Sequence, residues 1–458
     1  MRGNYVRFLI ALLCATCAAA MLSGTARAQG IYFPAVGAVN QSMGGASTAA
    51  PTDALGAMLW NPAAISGLKE SEVDISSAFL IPNIYVSSTL PGGASGTTRS
   101  DSGLGAVANT ALVLRLCDAP RLTMGMASYY AGAGGSNFPG DPTNPVLSFG
   151  PIYANLIVFQ TTGQVSLQVT DKLSIGAGPV VDTIVAAFDP AFFAPKTGIG
   201  PLSFPSATDG RPYWGGGFKV GAYYHLLPSV DVGFGYTSPQ WIENLTWYSR
   251  DALGNPITVT LPMQLPAIYS AGIGIKPTDQ LLLAVDCRLI DNVNSSPFGL
   301  PPAAAGLGWQ DVFVAAVGAQ YQFGPRLSAR VGYSYNTPTF PSNLTLFNVQ
   351  APAVTQHVVS AGFTAHIADN VFASLAYAYT VQNTVSGSAF QLGGSQSLSA
   401  NIHSIFLTMT VKFGTPSRHG QTAPTDTLPM DSNSTTANAG PITLPTATPV
   451  GTYGAPIQ

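Results

Sequence analysis

The chain has 458 residues, only 9% of them Asp, Glu, Lys or Arg, and its formal net charge is −3. An average soluble protein carries roughly 25% charged residues, so this composition argues against an ordinary water-soluble globule, and the acidic excess removes the electrostatic motive for binding nucleic acid. Beyond the extreme N-terminus no window offers the roughly 18 consecutive apolar residues of a transmembrane helix, which excludes a helical membrane protein.

Residues 1–28 read as an export signal. Arg2 and Arg7 precede the apolar run "FLIALLCATCAAAML", and "GTARAQG" follows with an Ala-x-Ala site, so cleavage is expected after Ala28. Cys14 and Cys17 fall inside this segment, but Leu13 and Thr16 before them are not the small residues a lipoprotein signal prefers. The mature chain would keep Cys117 and Cys287, too far apart in sequence to declare a disulfide. It would carry 15 basic and 21 acidic residues, a charge of −6.

Residues 29–71 are rich in small residues, carry no charge before Asp53 and lack period-2 alternation. A short helix is expected over 51–60. Thr52 or Asp53 can cap its first turn, and Asn61 is biased out of helix by Pro62. A compact, weakly polar segment of this kind suits a plug folded back into a barrel.

From there on the chain alternates. A strand is expected at about 72–88, and each later ribbon separates an apolar face from one that tolerates polar groups. "SVDVGFGY" sets Val230, Val232, Phe234 and Tyr236 opposite Asp231, Gly233 and Gly235. "LLLAVDCRL" sets Leu281, Leu283, Val285, Cys287 and Leu289 opposite Ala284, Asp286 and Arg288. In "LSARVGYSYN" Leu327, Ala329, Val331, Tyr333 and Tyr335 oppose Ser328, Arg330, Gly332, Ser334 and Asn336. "SIFLTMTVKF" repeats the split, with Ile405 to Phe413 against Thr408, Thr410 and Lys412. Such repetition predicts strands with lipid outside and a lumen inside.

Short turns occur at 117–121, 170–172, 226–229, 276–280, 323–326 and 367–370, and long Gly/Pro/Ser/Thr/Asn-rich segments at 131–150, 189–212, 238–262, 291–309 and 336–356. Six hairpins give twelve strands. One strand before them and one after (about 402–413) make a fourteen-stranded antiparallel transmembrane β-barrel over 72–414, an all-β fold. The turns and both chain ends are expected in the periplasm, because an even strand count returns the chain to the side from which it is delivered. Tyr129, Tyr130, Phe234, Tyr236, Tyr333, Tyr335, Tyr377 and Tyr379 lie toward the long loops, as an interfacial aromatic ring would, although Tyr is also simply a good strand residue. Residues 415–458, rich in Thr, Pro, Ser and Ala, read as a disordered periplasmic tail.

Catalytic and metal chemistry is thin. The five His, at 225, 357, 366, 403 and 419, show no metal-ligand spacing, and none is marked out as the partner of a nucleophilic Ser. No enzyme activity, cofactor or metal is expected. Lumen-facing Lys219, Arg288, Arg330 and Lys412 could meet a ligand carboxylate, with Arg330 the best placed, but Asp231 and Asp286 also point inward and internal salt bridges are the plainer reading. Apolar loop residues supply the other candidates: Phe192, Phe193, Leu202 and Phe204, and Phe298 with Leu300. They could equally pack on one another as a lid.

The segment "MGGASTAAPTDALGAMLWNPAAISGL", with Gly44, Gly45 and Ala46 followed by Asn61, Pro62 and Ala63, resembles the N-terminal hatch of the outer-membrane long-chain fatty acid transporter family (FadL-like), which includes channels for aromatic hydrocarbons. Three hairpins, from "LPAIYSAGIGIKPTDQ", "WQDVFVAAVGAQYQFGPR" and "HVVSAGFTAHIADN" onward, resemble that family in the same order, so the match spans roughly 36–413. The resemblance implies a fourteen-stranded barrel stoppered by its hatch, apolar pockets in the lumen and passive uptake of a hydrophobic molecule, a long-chain fatty acid first and an arene second. The mechanism expected is capture by the apolar loops, binding in a lumen pocket and release by a small movement of the hatch. Two features depart from the resemblance: the tail beyond Phe413 and the sequences of the extracellular loops. The expected surroundings are outer-membrane lipid, and the expected state a monomer, since no outward face is reserved for packing. A small-solute porin is the competing reading. A phage or adhesin receptor role is compatible with either.

Overall fold

The computed structural model describes residues 30–200, 203–389 and 393–414. The expected signal peptide and tail lie outside them, as does Leu202. Nineteen strands occur among the described residues: β1 (Ser71–Thr89), β2 (Ser95–Arg99), β3 (Gly105–Arg115), β4 (Leu122–Phe138), β5 (Ile152–Gln168), β6 (Leu173–Asp189), β7 (Tyr213–Leu227), β8 (Val230–Thr237), β9 (Gln240–Ile242), β10 (Leu245–Arg250), β11 (Pro256–Leu261), β12 (Gln264–Leu265), β13 (Ala267–Ile275), β14 (Leu281–Asp291), β15 (Val312–Gln322), β16 (Leu327–Asn336), β17 (His357–Ala368), β18 (Val371–Ser388) and β19 (Ser395–Phe413). The strands paired in the main sheet are antiparallel, and β1 pairs with β19 from Ser71↔Phe413 to Thr89↔Ser395, so the sheet closes.

The closed wall has fourteen staves, because three of them are interrupted. β8 and β9 form one stave broken at Pro239, and β12 and β13 another broken at Pro266, where proline has no N–H to give the ladder. β2 and β3 form the third, broken over 100–104. A separate hairpin, β10–β11, stands at the long-loop end. The short turns fall where the alternation stops, down to Asn370 in the 369–370 turn, which takes the left-handed φ of 61° that Asn tolerates. The loop expected from residue 131 begins later: β4 runs to Phe138, through "AGAGGSNF", whose small residues hide a strand from any hydrophobic count.

The faces divide as the alternation predicts. Ile75, Val331 and Leu407 are 54%, 60% and 47% exposed on the outer wall, while Asp74, Arg330 and Thr408 between them are buried inward. What buries them is the segment from residue 30 to 70. It holds helix α1 (Ala38–Ser42), helix α2 (Ala54–Trp60) and a 3-10 turn at Pro62–Gly67. α1 was not signalled by the sequence. α2 starts at Asp53, whose Oδ1 accepts the Gly56 N–H at 3.2 Å, and ends at Asn61 as expected. Met43, Leu55, Met58 and Ile65 are fully buried, so the core of the molecule is this segment inside its wall.

Candidate ligand pathway

Hydrogen bonds fasten the inner segment around the whole circumference. Asp286 Oδ2 accepts the Ser47 and Thr48 N–H groups, each at 2.9 Å, and the Thr48 hydroxyl at 2.7 Å. Arg288 donates to Gly45 O at 2.9 Å and lies 4.4 Å over the Trp60 ring. Lys219 donates to Leu59 O at 2.9 Å and to the Tyr129 hydroxyl at 2.6 Å. Of the inward cations, Lys412 pairs with a carboxylate, Glu72, at 3.5 Å. Lys219 and Arg288 therefore serve chiefly to hold backbone carbonyls, a role distinct from the expected internal salt bridges. Asp231 is engaged at a short turn, by His225 at 2.6 Å and Lys276 at 3.4 Å. His225 is thus set apart by its surroundings, which its sequence neighbours did not reveal.

The Gly-Gly and Asn-Pro-Ala stretches act as backbone fittings. Gly44 has φ +67°, and a Cβ there would sit 2.8 Å from the Tyr333 backbone N and O. Gly45 has φ +83°, and its Cβ would strike the Pro34 carbonyl. Asn61 accepts from Ala63 N at 3.0 Å and donates to Thr48 O at 2.8 Å and to Ala222 O in β7 at 3.0 Å. Pro62 opens the 3-10 turn, where a missing N–H costs nothing. Ala63 O accepts from Ser166 in β5 at 3.1 Å.

Two cavities stand out among the described residues. A loop cavity of about 510 Å³ lies between long loops and the inner wall, and Phe192, Phe193, Phe204 and Phe298 line it together with Phe149, Phe188, Met263 and Leu346. Phe192 meets Phe204 edge-on at 5.3 Å, and Phe298 lies 5.0 Å from Trp309. Lys196 is the one charged residue among the described residues of this lining. It is exposed, 5.3 Å from the Phe204 ring, and makes no ion pair among the described residues. The expectation overlooked Lys196, because "FFAPKTG" carries no motif. Leu300 and Arg330 are not among the residues lining either cavity. Leu300 shapes a turn, its carbonyl accepting from Gly308 at 2.8 Å. Arg330 is buried near the short-turn end, bound to Gln320 at 2.6 Å and Thr364 at 2.7 Å.

A wall cavity of about 450 Å³ adjoins the first, sharing Ile31, Gly134 and Ala154 with it. One side is an imperfection in the barrel. β3 pairs with β4 only from Thr110↔Ser128 to Arg115↔Thr123. Above that, β4 shifts register between Tyr130 and Gly132, and its edge is met from inside the barrel. Phe33 N donates to Ala131 O at 2.9 Å, Ala133 N donates to Ile31 O at 3.1 Å, and the Asn109 side chain accepts from Tyr130 N at 2.9 Å. Gly105, Val107, Asn109 and Tyr130, which flank this gap, all line the wall cavity.

Comparison with known proteins agrees with this architecture. A family model described as outer membrane protein transport protein (OMPP1/FadL/TodX) matches residues 19–414. The Pseudomonas putida toluene transporter TodX superposes with a TM-score of 0.63 at 16% identity, covering 83% of this chain and 99% of that one. A Pseudomonas aeruginosa FadL homologue gives 0.64 at 17% identity, covering 84% and 100%. The Ralstonia pickettii toluene transporter TbuX gives 0.61 at 19% identity, covering 83% and 99%. No curated protein matches the chain.

Proposed function

This chain belongs to the outer membrane protein transport family OMPP1/FadL/TodX, and on that premise we propose that it takes up long-chain fatty acids through the two cavities described above. The family consists of outer-membrane transport channels for hydrophobic molecules rather than enzymes, and a Gram-negative outer-membrane barrel of this kind has that role. The observation that carries the finer reading is Lys196, one unpaired cation at the rim of a cavity otherwise lined by uncharged residues. An arene offers that ammonium only a cation–π contact, of the kind the Phe204 ring already supplies at 5.3 Å. A fatty acid offers it a carboxylate while its chain enters the cavity, where each buried methylene contributes about 0.8 kcal/mol. The volume of about 510 Å³ falls within the roughly 300–1,000 Å³ of ordinary small-molecule sites.

From there the ligand passes Ile31 into the wall cavity and leaves through the unpaired stretch between β3 and β4 toward lipid. A straight path along the lumen is occupied by the hatch, whose anchors reach strands on every side. The same filling argues against an open small-solute porin, for which a steady current in planar bilayers would be needed. Uptake of monoaromatic hydrocarbons is the second reading, favoured by the phenylalanine-rich lining and by what the named neighbours TodX and TbuX transport. Lys196→Met separates the two. Calorimetric titration should show oleate affinity falling about two- to fivefold with toluene affinity little changed, an exposed cation–carboxylate contact being worth up to about 1 kcal/mol. Unchanged oleate binding would refute the fatty acid assignment.

A further inference from the structure

The N-terminus of α2 rests in a cluster of three carboxyl groups. Asp53 caps the helix and is 2% exposed, and Glu72 and Asp74 from β1 are 1% and 0% exposed. Asp74 is fully engaged: Oδ2 accepts from Leu55 N at 3.1 Å and Oδ1 from the Thr410 hydroxyl at 2.5 Å. Glu72 Oε2 faces Lys412 of β19 at 3.5 Å. The remaining cation facing Asp53 is Arg330 of β16, while α1 presents only the neutral amide of Asn40. Three ionised carboxylates against Lys412 and Arg330 would leave one negative charge uncompensated inside the barrel, a costly arrangement away from water.

The hydrogen bonding leaves two oxygens open to the proton that neutrality requires. Asp53 Oδ1 is used by the Gly56 N–H, whereas Asp53 Oδ2 is buried without a partner, as is Glu72 Oε1. A proton on Asp53 Oδ2 neutralises the cluster without breaking any bond described above. We propose that the hatch is seated by a proton, held on Asp53 while α2 is docked against β1 and lost when the hatch lifts. Burial first, and then the charges of Asp74 and Glu72, hold the Asp53 carboxyl well above the usual carboxylate range. The docked state therefore binds the proton more tightly than a lifted, hydrated hatch does. Docking is at full strength below the ordinary Asp range and weakens as pH rises through the elevated value. Mildly acidic surroundings close the channel and alkaline ones loosen it.

This inference rests on the ligand route proposed above, whose exit the inner segment covers through the Phe33–Ala131 and Ala133–Ile31 bonds, but it is tested without ligand, so the two can fail separately. The experiment is hydrogen–deuterium exchange of the detergent-solubilised full chain across neutral and alkaline pH, corrected for intrinsic exchange. Peptides from 30–70 report the hatch, and β18–β19 peptides serve as reference. In the wild type the hatch opening constant should rise by up to about tenfold per pH unit, the limit for one linked proton. Asp53→Asn keeps the cap, since Asn serves as well as Asp, and should be flat. Glu72→Gln removes only the smaller of the two neighbouring charges and leaves Asp53 buried beside Asp74, so its slope should persist. A wild-type hatch indifferent to pH, or a slope that persists in folded Asp53→Asn, overturns the proposal.

Discussion

Thr48 gives both its backbone N–H and its hydroxyl to one oxygen of Asp286, at 2.9 and 2.7 Å, so a wall residue grips the hatch 238 positions away in sequence. Ser47 adds a third bond to the same atom. Asp286→Ala should remove all three. Hydrogen bonds to a buried charged group contribute about 1.5–3 kcal/mol each in isolation, and a net loss of about 2–3 kcal/mol in hatch docking is expected because they share one acceptor. Exchange in 44–50 should accelerate at least tenfold while β18–β19 stays protected. Planar bilayers that are silent with the wild type should show intermittent conductance.

Gly44 and Gly92 separate backbone strain from packing. Both have positive φ, +67° and +102°, but a Cβ at Gly44 meets the Tyr333 backbone at 2.8 Å and one at Gly92 meets nothing within 4 Å. Gly92→Ala should cost only the left-handed penalty of about 1–2 kcal/mol. Gly44→Ala should cost more and loosen the hatch, which proteolysis of the folded barrel would reveal as cleavage within 38–50.

Acid should undo a clasp at the long-loop end. Arg211 donates to Glu243 at 2.8 and 2.7 Å, and Trp214 N adds a bond at 2.9 Å, so the Glu243 carboxyl is held down to about 2. Its contribution is complete above the ordinary Glu range and disappears as pH falls through about 2. Fluorescence of Trp214 and Trp241 should change in that window in the wild type and titrate nearer the ordinary value in Arg211→Met.

The cysteines report topology. Cys117 lies at the short turn after β3, and Cys287 is exposed on the outer face of β14. In whole cells a membrane-impermeant maleimide should miss both. After the outer membrane is permeabilised it should label Cys117 alone, while an apolar maleimide reaches Cys287. Labelling of Cys117 on intact cells would invert the assigned orientation.

The wall was legible because lipid imposes a period of two on every strand and leaves each short turn as its only break. The hatch was partly legible, since Asp53 and Asn61 use local bonds that any helix terminus needs. What escaped depends on neighbours distant in sequence. Residues 131–138 form a strand because β5 and Ile31 pair with them, and Lys196 comes to line a cavity because Phe204, Phe298 and Leu346 meet beside it. The partners of Arg330 escaped for the same reason. Its alternation is correct, yet Gln320 and Thr364 already occupy its guanidinium.

Native mass spectrometry of the chain extracted from outer membranes tests the central claim most directly, because it reads the occupant of the cavities rather than an effect of it. The account expects one long-chain monocarboxylate per barrel, displaced by added oleate and reduced in Lys196→Met. An empty barrel that oleate cannot fill, or one that retains only an arene, would contradict it.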